Sequence, residues 1–316
     1  MEYSSIKDLV THPYSKYLGA IKSGDIKSLA RSISLIENEA PGYEIMLESL
    51  TPDDAIRITG ITGPPGAGKS TIVDALIEKF IGAGKRVAVL CVDPSSPFNL
   101  GALLGDRIRM SNWYNHPEVY IRSLATRGSL GGLHPKIIEI TELLKTAPFD
   151  HIIVETVGVG QSEIEITGLS DTTVVVLVPE SGDGVQAMKS GLMEIADIFV
   201  VNKADRPEAD TFTRNLKLMM KTSTPLHEKH PPIIKTIASA KHGIDELLHE
   251  INHHQLNSSI PEKRSWLLAE RAFHLLQQQK MKGYDKSKIK SAIELALKKG
   301  RFNLFRFVKT LDETPG

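Results

Sequence analysis

At 316 residues, with 41% hydrophobic and 24% charged side chains, the chain has room for one large α/β domain with arms or for two domains, and its composition excludes intrinsic disorder. Lys plus Arg and Asp plus Glu both number 38, so no overall field favours nucleic acid or an acidic membrane, and no apolar run approaches the roughly 18 residues of a membrane span. Cys91 is the only cysteine, which rules out an intrachain disulfide, and the start MEYSSIKDLV lacks the basic and apolar regions of a secretory leader, so a cytoplasmic protein is expected.

In chain order, residues 1–50 read as a helical extension, with Tyr17, Leu18, Ile21, Leu29, Ile33, Leu35 and Ile36 spaced by charged residues. From residue 51 to 256, short β-rich runs alternate with helical patterns: IRITGIT, RVAVLCV, HIIVET, TTVVVLV, DIFVVN and IIKTI. Runs apolar on both faces and separated by helices predict a doubly wound, mostly parallel α/β sheet covered on two sides. The loops after such strands share one edge, where ligands bind. Residues 257–316 carry no strand signal and two or three amphipathic helical stretches. Their apolar residues Trp266, Leu267, Leu268, Phe273, Leu275 and Leu276 either fold back on the sheet domain or meet a second copy; periodicity does not say which.

The run RITGIT leads into Gly63-Pro64-Pro65-Gly66-Ala67-Gly68-Lys69-Ser70-Thr71, which matches G-x-x-x-x-G-K-[ST] between a strand and a helix. Glycines let successive N–H groups turn toward phosphate oxygens, and the following helix adds its positive end. Lys69 is expected on the β and γ phosphates and the Ser70 hydroxyl on Mg²⁺. Asp93 and Glu155 each end an apolar run, on the same edge as this loop. Mg²⁺ takes oxygen ligands, and one or two carboxylates beside Ser70 suffice. Glu155 with Gly158 gives E-x-x-G, where many GTPases have D-x-x-G. The Gly158 amide is the expected γ-phosphate sensor, and residues 159–165 behind it a nucleotide-dependent switch.

The run DIFVVN continues into Asn202-Lys203-Ala204-Asp205, an N-K-x-D sequence. An aspartate here accepts hydrogen bonds from guanine N1 and N2, whereas adenine offers no such donors and would leave the carboxylate unpaired. Ser239-Ala240-Lys241, after the last strand, stands where guanine-binding proteins present backbone to O6. GTP or GDP is therefore expected rather than ATP.

Asp93-Pro-Ser-Ser, the segment from Leu104 through Asp106 and Arg109 to Met110, the segment from Glu155 through Gln161 to Glu163, and Asn202 to Asp205 together resemble the MeaB/ArgK-type GTPases, chaperones of adenosylcobalamin-dependent methylmalonyl-CoA mutase. The resemblance spans about residues 40–256 and, more loosely, the helical arms. It implies a P-loop domain with an N-terminal helical extension and a C-terminal dimerisation arm. It further implies a homodimer that binds the mutase, uses GTP to gate cofactor loading, and protects or reactivates its client. By resemblance, Mg²⁺ lies near Ser70, Asp93, Asp106 and Glu155, a first switch covers Asp93 to Met110, and a third mobile loop covers Glu180 to Lys189. The chain departs from many relatives at Asn99-Leu100-Gly101 and in ESGDGVQ, both within these switches.

Hydrolysis of GTP needs charge neutralisation and a positioned water. Lys69, Mg²⁺ and the loop amides supply the first. Val159, directly after Gly158, cannot orient water as a glutamine does, so a slow intrinsic rate with partner activation is expected. Gln161, Asp183, Lys189 and Arg109 are the candidates for the missing group. Histidines 227, 230, 253 and 254 read as surface side chains rather than metal ligands, and Cys91 as a buried, inert thiol. Two other readings stand beside this one. Asp205 argues against an ATP-dependent kinase, and a metal-delivery GTPase usually carries Cys or His clusters that one cysteine and scattered histidines do not supply.

Overall fold

In the computed structural model, seven strands among the described residues pair side by side, all parallel, in the order β3-β2-β4-β1-β5-β6-β7. The structure describes residues 15–93, 110–126, 133–158, 163–179, 192–223, 230–257, 262–281, 284–298, 300 and 302–312. The strands are β1 (Arg57–Thr62), β2 (Val87–Asp93), β3 (Val119–Ala125), β4 (His151–Glu155), β5 (Thr172–Leu177), β6 (Ile198–Asn202) and β7 (Ile233–Thr236). Six of them are the six apolar runs. In β2, β4, β5 and β6 every residue is buried, because helices cover both faces of the sheet.

The alternation along β5 shows how the two faces are filled. Val174 and Val176 pack with Ile198 and Val200 of β6 against α4 (Lys69–Gly82) and α9 (Ile244–Asn257), through Ile72, Leu76, Leu247 and Ile251. Val175 and Leu177 face the other way, with Phe199, Val201, the short α7 (Leu192–Ile195) and Leu216 and Met220 of α8 (Ala209–Ser223). On that second face α6 (Glu163–Leu169) packs against β1.

The edge strand β3 is absent from the sequence reading. Its sequence VYIRSLA is buried at the ends and half-buried in the middle, so it lacks the continuous apolar run by which the other strands are recognised. Arg122 sits in that middle and forms an ion pair with Glu37, while its Nη2 donates to Ser34 Oγ at 3.1 Å. Both partners lie on α2 (Ile26–Glu37) of the N-terminal segment, which also contains α1 (Ser15–Lys22) and α3 (Tyr43–Glu48). Asp25 caps α2 by accepting from Ser28 N at 3.0 Å, and Leu29, Ile33 and Ile36 form its buried stripe. The helix packs on α5 (Ile137–Leu144).

The end of the sheet remote from the strand C-termini is closed by buried polar groups. His151, at the start of β4, stacks on Phe80 at 4.5 Å and places Nε2 2.8 Å from Thr59 Oγ1, which also accepts from Gln255 Nε2 at 3.2 Å. Asp171 accepts from Ile58 N at 2.7 Å and so fastens the start of β1.

Residues 1–264 form one compact unit and residues 265–316 a second. Helix α10 (Glu262–Met281), α11 (Lys286–Lys298) and α12 (Leu304–Asp312) carry the C-terminal segment. Trp266, Phe273 and Phe305 there are 70%, 63% and 85% exposed, an unusual state for aromatic side chains. Among the described residues no helix is long and apolar enough to cross a membrane.

Candidate nucleotide site

Strand β1 connects toward β2 on one side of the sheet, whereas its neighbour β5 connects toward β6 on the other. This is a topological switch point, and it opens a crevice at the strand C-termini. The loop from Gly63 to Gly68 fills that position. Gly68 stands at the cap of α4 with φ 89°, and a Cβ there would lie 2.3 Å from Asn202 Nδ2, so the position admits no side chain. The cap residue Gly68 offers α4 no side-chain hydrogen bond, and the positive end of the helix faces the loop.

Lys69 is only 7% exposed, and its ammonium donates back to the loop carbonyls of Gly63 (2.9 Å) and Pro64 (3.2 Å). Gly158, past the end of β4, presses on the same place. With φ 81°, it would put a Cβ 2.1 Å from the Gly63 oxygen and 2.5 Å from Lys69 Nζ. Two loops far apart in sequence thus converge on one cation.

Ser70 Oγ donates to Glu155 Oε1 at 2.7 Å. Register explains the meeting: Glu155 pairs with Ile61 on β1 and with Cys91 on β2, so it ends one step short of the loop. Asp93, two residues beyond Cys91, is buried at the end of β2. One hydroxyl and two carboxylates, all oxygen donors and all almost fully buried, suit a hard divalent cation such as Mg²⁺. Thr156 Oγ1 donates to Thr62 Oγ1 at 2.9 Å and ties together the two strand ends that carry these groups.

On the other side of the loop lies a cavity of about 250 Å³, lined by Gly68, Thr71, Asn202, Lys203, Asp205, Ala238 and Ser239, among others. Asn202 organises it. Its Nδ2 donates to Ala67 O (2.9 Å), while its Oδ1 accepts from Thr236 Oγ1 (3.0 Å) and Ala238 N (3.2 Å), so one amide joins the phosphate loop to β7 and the turn after it. Lys203 and Lys241 have left-handed backbones, φ 55° and 59°, rare for non-glycine residues and placed on the two loops that border the cavity. Asp205 is exposed at the rim and Ser239 lines the wall, with Ala240 and Lys241 beside it.

Of the residues singled out in the sequence, those from Gly63 to Thr71, with Asp93, Glu155 and Gly158, gather around the phosphate loop. Asn202, Lys203, Asp205 and Ser239 line the adjoining cavity. Asp106, Arg109, Gln161, Asp183 and Lys189 lie outside the described residues, as do both departures from the family pattern and nearly all of the three expected switches. Thr236 and Glu78 escaped the sequence reading. Thr236 is register partner to Asn202, and Glu78 forms an ion pair with Lys241. His230 and His253 are exposed and His227 lies outside the described residues. His254 departs from the surface expectation: it is half-buried, with Nδ1 2.9 Å from Thr172 Oγ1 and Nε2 3.5 Å from Asp197 Oδ1. Cys91 is buried, as its apolar strand implied.

A glycine turn from a parallel strand into a helix that opens Lys-Ser, at a switch point of a doubly wound sheet, defines a P-loop nucleoside triphosphatase. A solved structure described as a LAO/AO transport system kinase shares the fold over 99% of both chains, with a TM-score of 0.64 at 24% identity. Residues 29–282 match the family described as methylmalonyl Co-A mutase-associated GTPase MeaB. The chain is 46% identical over 247 residues to a putative GTPase of Pyrococcus horikoshii, covering 77% of this chain and 78% of that one. It is also 37% identical over 236 residues to a fused isobutyryl-CoA mutase of Geobacillus kaustophilus, covering 70% of this chain and 22% of that one. The chain belongs to the MeaB family and is a GTPase.

Proposed function

We infer that this GTPase serves an adenosylcobalamin-dependent acyl-CoA mutase, methylmalonyl-CoA mutase or a near relative, as a homodimeric chaperone that gates cofactor loading and protects or reactivates the client. The observation that carries this reading is the fused mutase of Geobacillus kaustophilus, in which a stretch like this chain occupies 22% of a single mutase polypeptide. Fusion holds two activities at high effective concentration, which is useful when they act on one another. The exposed apolar residues of the second unit, among them Trp266, Leu276 and Phe305, support a dimer contact there.

Guanine nucleotide binds across the loop and the cavity. Asp205 accepts from N1 and N2 of the base, Asn202 keeps the base loops in register with the phosphate loop, and the turn at Ser239 to Lys241 presents backbone to O6. The Lys69 ammonium exchanges the Gly63 and Pro64 carbonyls for the β and γ phosphates. Ser70, Asp93 and Glu155, with Asp106 added by the family resemblance, would hold Mg²⁺, and the ion would neutralise charge on the phosphate oxygens. Water then attacks the γ-phosphorus, the bond to the β–γ bridging oxygen breaks, and GDP leaves with inorganic phosphate. Intrinsic turnover is slow until a partner places the water-positioning group, drawn from Gln161, Asp183, Lys189 or Arg109.

The test is GTP turnover by the pure protein with Mg²⁺, alone and with an apo acyl-CoA mutase. The expected result is a rise of at least about tenfold with the mutase, a threshold set well below the roughly thousandfold or more that a partner's arginine supplies in other GTPases. Unchanged turnover, together with no co-migration on gel filtration in any nucleotide state, would remove the client assignment.

A further inference from the structure

Helix α4 is the element that follows the phosphate loop, yet it also reaches the far side of the cavity. Adjacent residues on it make two ion pairs of opposite polarity with the segment after β7. Glu78 pairs with the ammonium of Lys241, and Lys79 Nζ lies 2.6 Å and 2.8 Å from the two carboxylate oxygens of Asp245, in the first turn of α9. Lys241 is the residue whose backbone turns left-handed, closing the 3₁₀ turn Ala238–Ala240 by donating its N–H to Ala238 O at 3.1 Å. A lysine holds such a backbone only where its surroundings determine it. Here they are the Ile237–His242 bridge on one side and the Glu78 carboxylate on the other.

We propose that Glu78 is a positioning residue for guanine recognition: by holding Lys241 it fixes the peptide groups between Ala238 and Lys241 that face O6 of the base. The inference rests on the guanine-site reading above and deepens it. The pair is half exposed, so its contribution to stability is small. Its consequence is orientation, because α4 carries Lys69 and Ser70 at one end and Glu78 two turns on, and so sets the phosphate and base contacts on one rigid rod. Glu78 does not itself touch nucleotide.

The experiment is competitive nucleotide binding to the full-length protein with GDP, with 6-thio-GDP, which alters only the O6 position, and with IDP, which lacks only the N2 amine. In Glu78→Gln the preference for GDP over 6-thio-GDP is expected to fall about three- to fivefold, the scale of one exposed charge contact, with the GDP to IDP ratio unchanged. The charge swap Glu78→Lys with Lys241→Glu should restore the first ratio. Lys79→Ala, which breaks the neighbouring pair, should leave both ratios alone. An unchanged 6-thio-GDP ratio in Glu78→Gln, or an equal loss in Lys79→Ala, overturns the proposal. A wild-type protein with no preference for GDP over ADP would instead overturn the guanine site itself.

Discussion

Gly158 and Gly63 stand in backbone contact across the mouth of the phosphate loop, 2.1 Å separating the Gly63 oxygen from the place a Gly158 side chain would begin. The Lys69 ammonium lies in the same gap, so whatever moves one of the three moves the others.

Gly158→Ala is therefore expected to damage hydrolysis more than binding. The left-handed φ of 81° alone costs an alanine about 1 kcal/mol. Relief of the clash displaces either the loop carbonyl or Lys69. Single-turnover GTP hydrolysis should fall about a hundredfold, the scale of losing one well-placed contact to developing charge, while GDP affinity changes by less than about tenfold. Retention of hydrolysis within about threefold would show that Gly158 is no part of the phosphate site.

Ser70→Ala removes the donor 2.7 Å from Glu155 Oε1. A buried carboxylate that loses one donor costs about 1–3 kcal/mol, so the urea midpoint without nucleotide should drop. The Mg²⁺ concentration for half-maximal hydrolysis should rise about tenfold or more, because a hard-cation site loses an oxygen ligand. Glu155→Gln should reproduce the second effect with a smaller first one, since the amide oxygen still accepts from Ser70. An unaltered Mg²⁺ dependence in both variants would move the metal elsewhere.

Asp205→Asn tests the base. Two hydrogen bonds to a carboxylate are lost from guanine, which should weaken GTP about 100-fold or more, whereas xanthosine triphosphate, with an oxygen at C2, should gain. Competition against a fluorescent GDP analogue measures both. The side chain is exposed at the cavity rim, so folding should be unaffected.

Burial pulls the imidazole of His151 down to about 4 from its ordinary 6.5, only partly offset by Asp150. The folded state thus holds this ring neutral while the unfolded chain protonates it near 6.5, so its contribution to stability is complete above that pH and drains away as pH falls toward 4. Between about pH 7.5 and pH 5 the wild type should lose about 2 kcal/mol more than His151→Gln, read from urea unfolding of each protein at both pH values. Parallel losses in the two proteins would mean that the ring titrates freely.

Much of this molecule was legible as written. Strands buried on both faces need side chains apolar at every position, so β2, β4, β5 and β6 stood out from RVAVLCV, HIIVET, TTVVVLV and DIFVVN. The phosphate loop was legible for a related reason: its geometry is local, set by glycines and by a Lys-Ser at a helix start. Edge strand β3 was not, because an edge is half solvated and Arg122, which interrupts it, is satisfied by Glu37 and Ser34 from a helix more than eighty residues earlier.

The sequence by itself therefore determined the parallel sheet, the phosphate loop and the order of the residues around the nucleotide, since each is encoded within a few consecutive positions. Only the tertiary structure decided that Asn202 would join Ala67 to Thr236, that Gly158 would close on Gly63, and that Glu78 would meet Lys241. Those are pairings between segments that strand register and helix packing bring together, and no local pattern of residues records them.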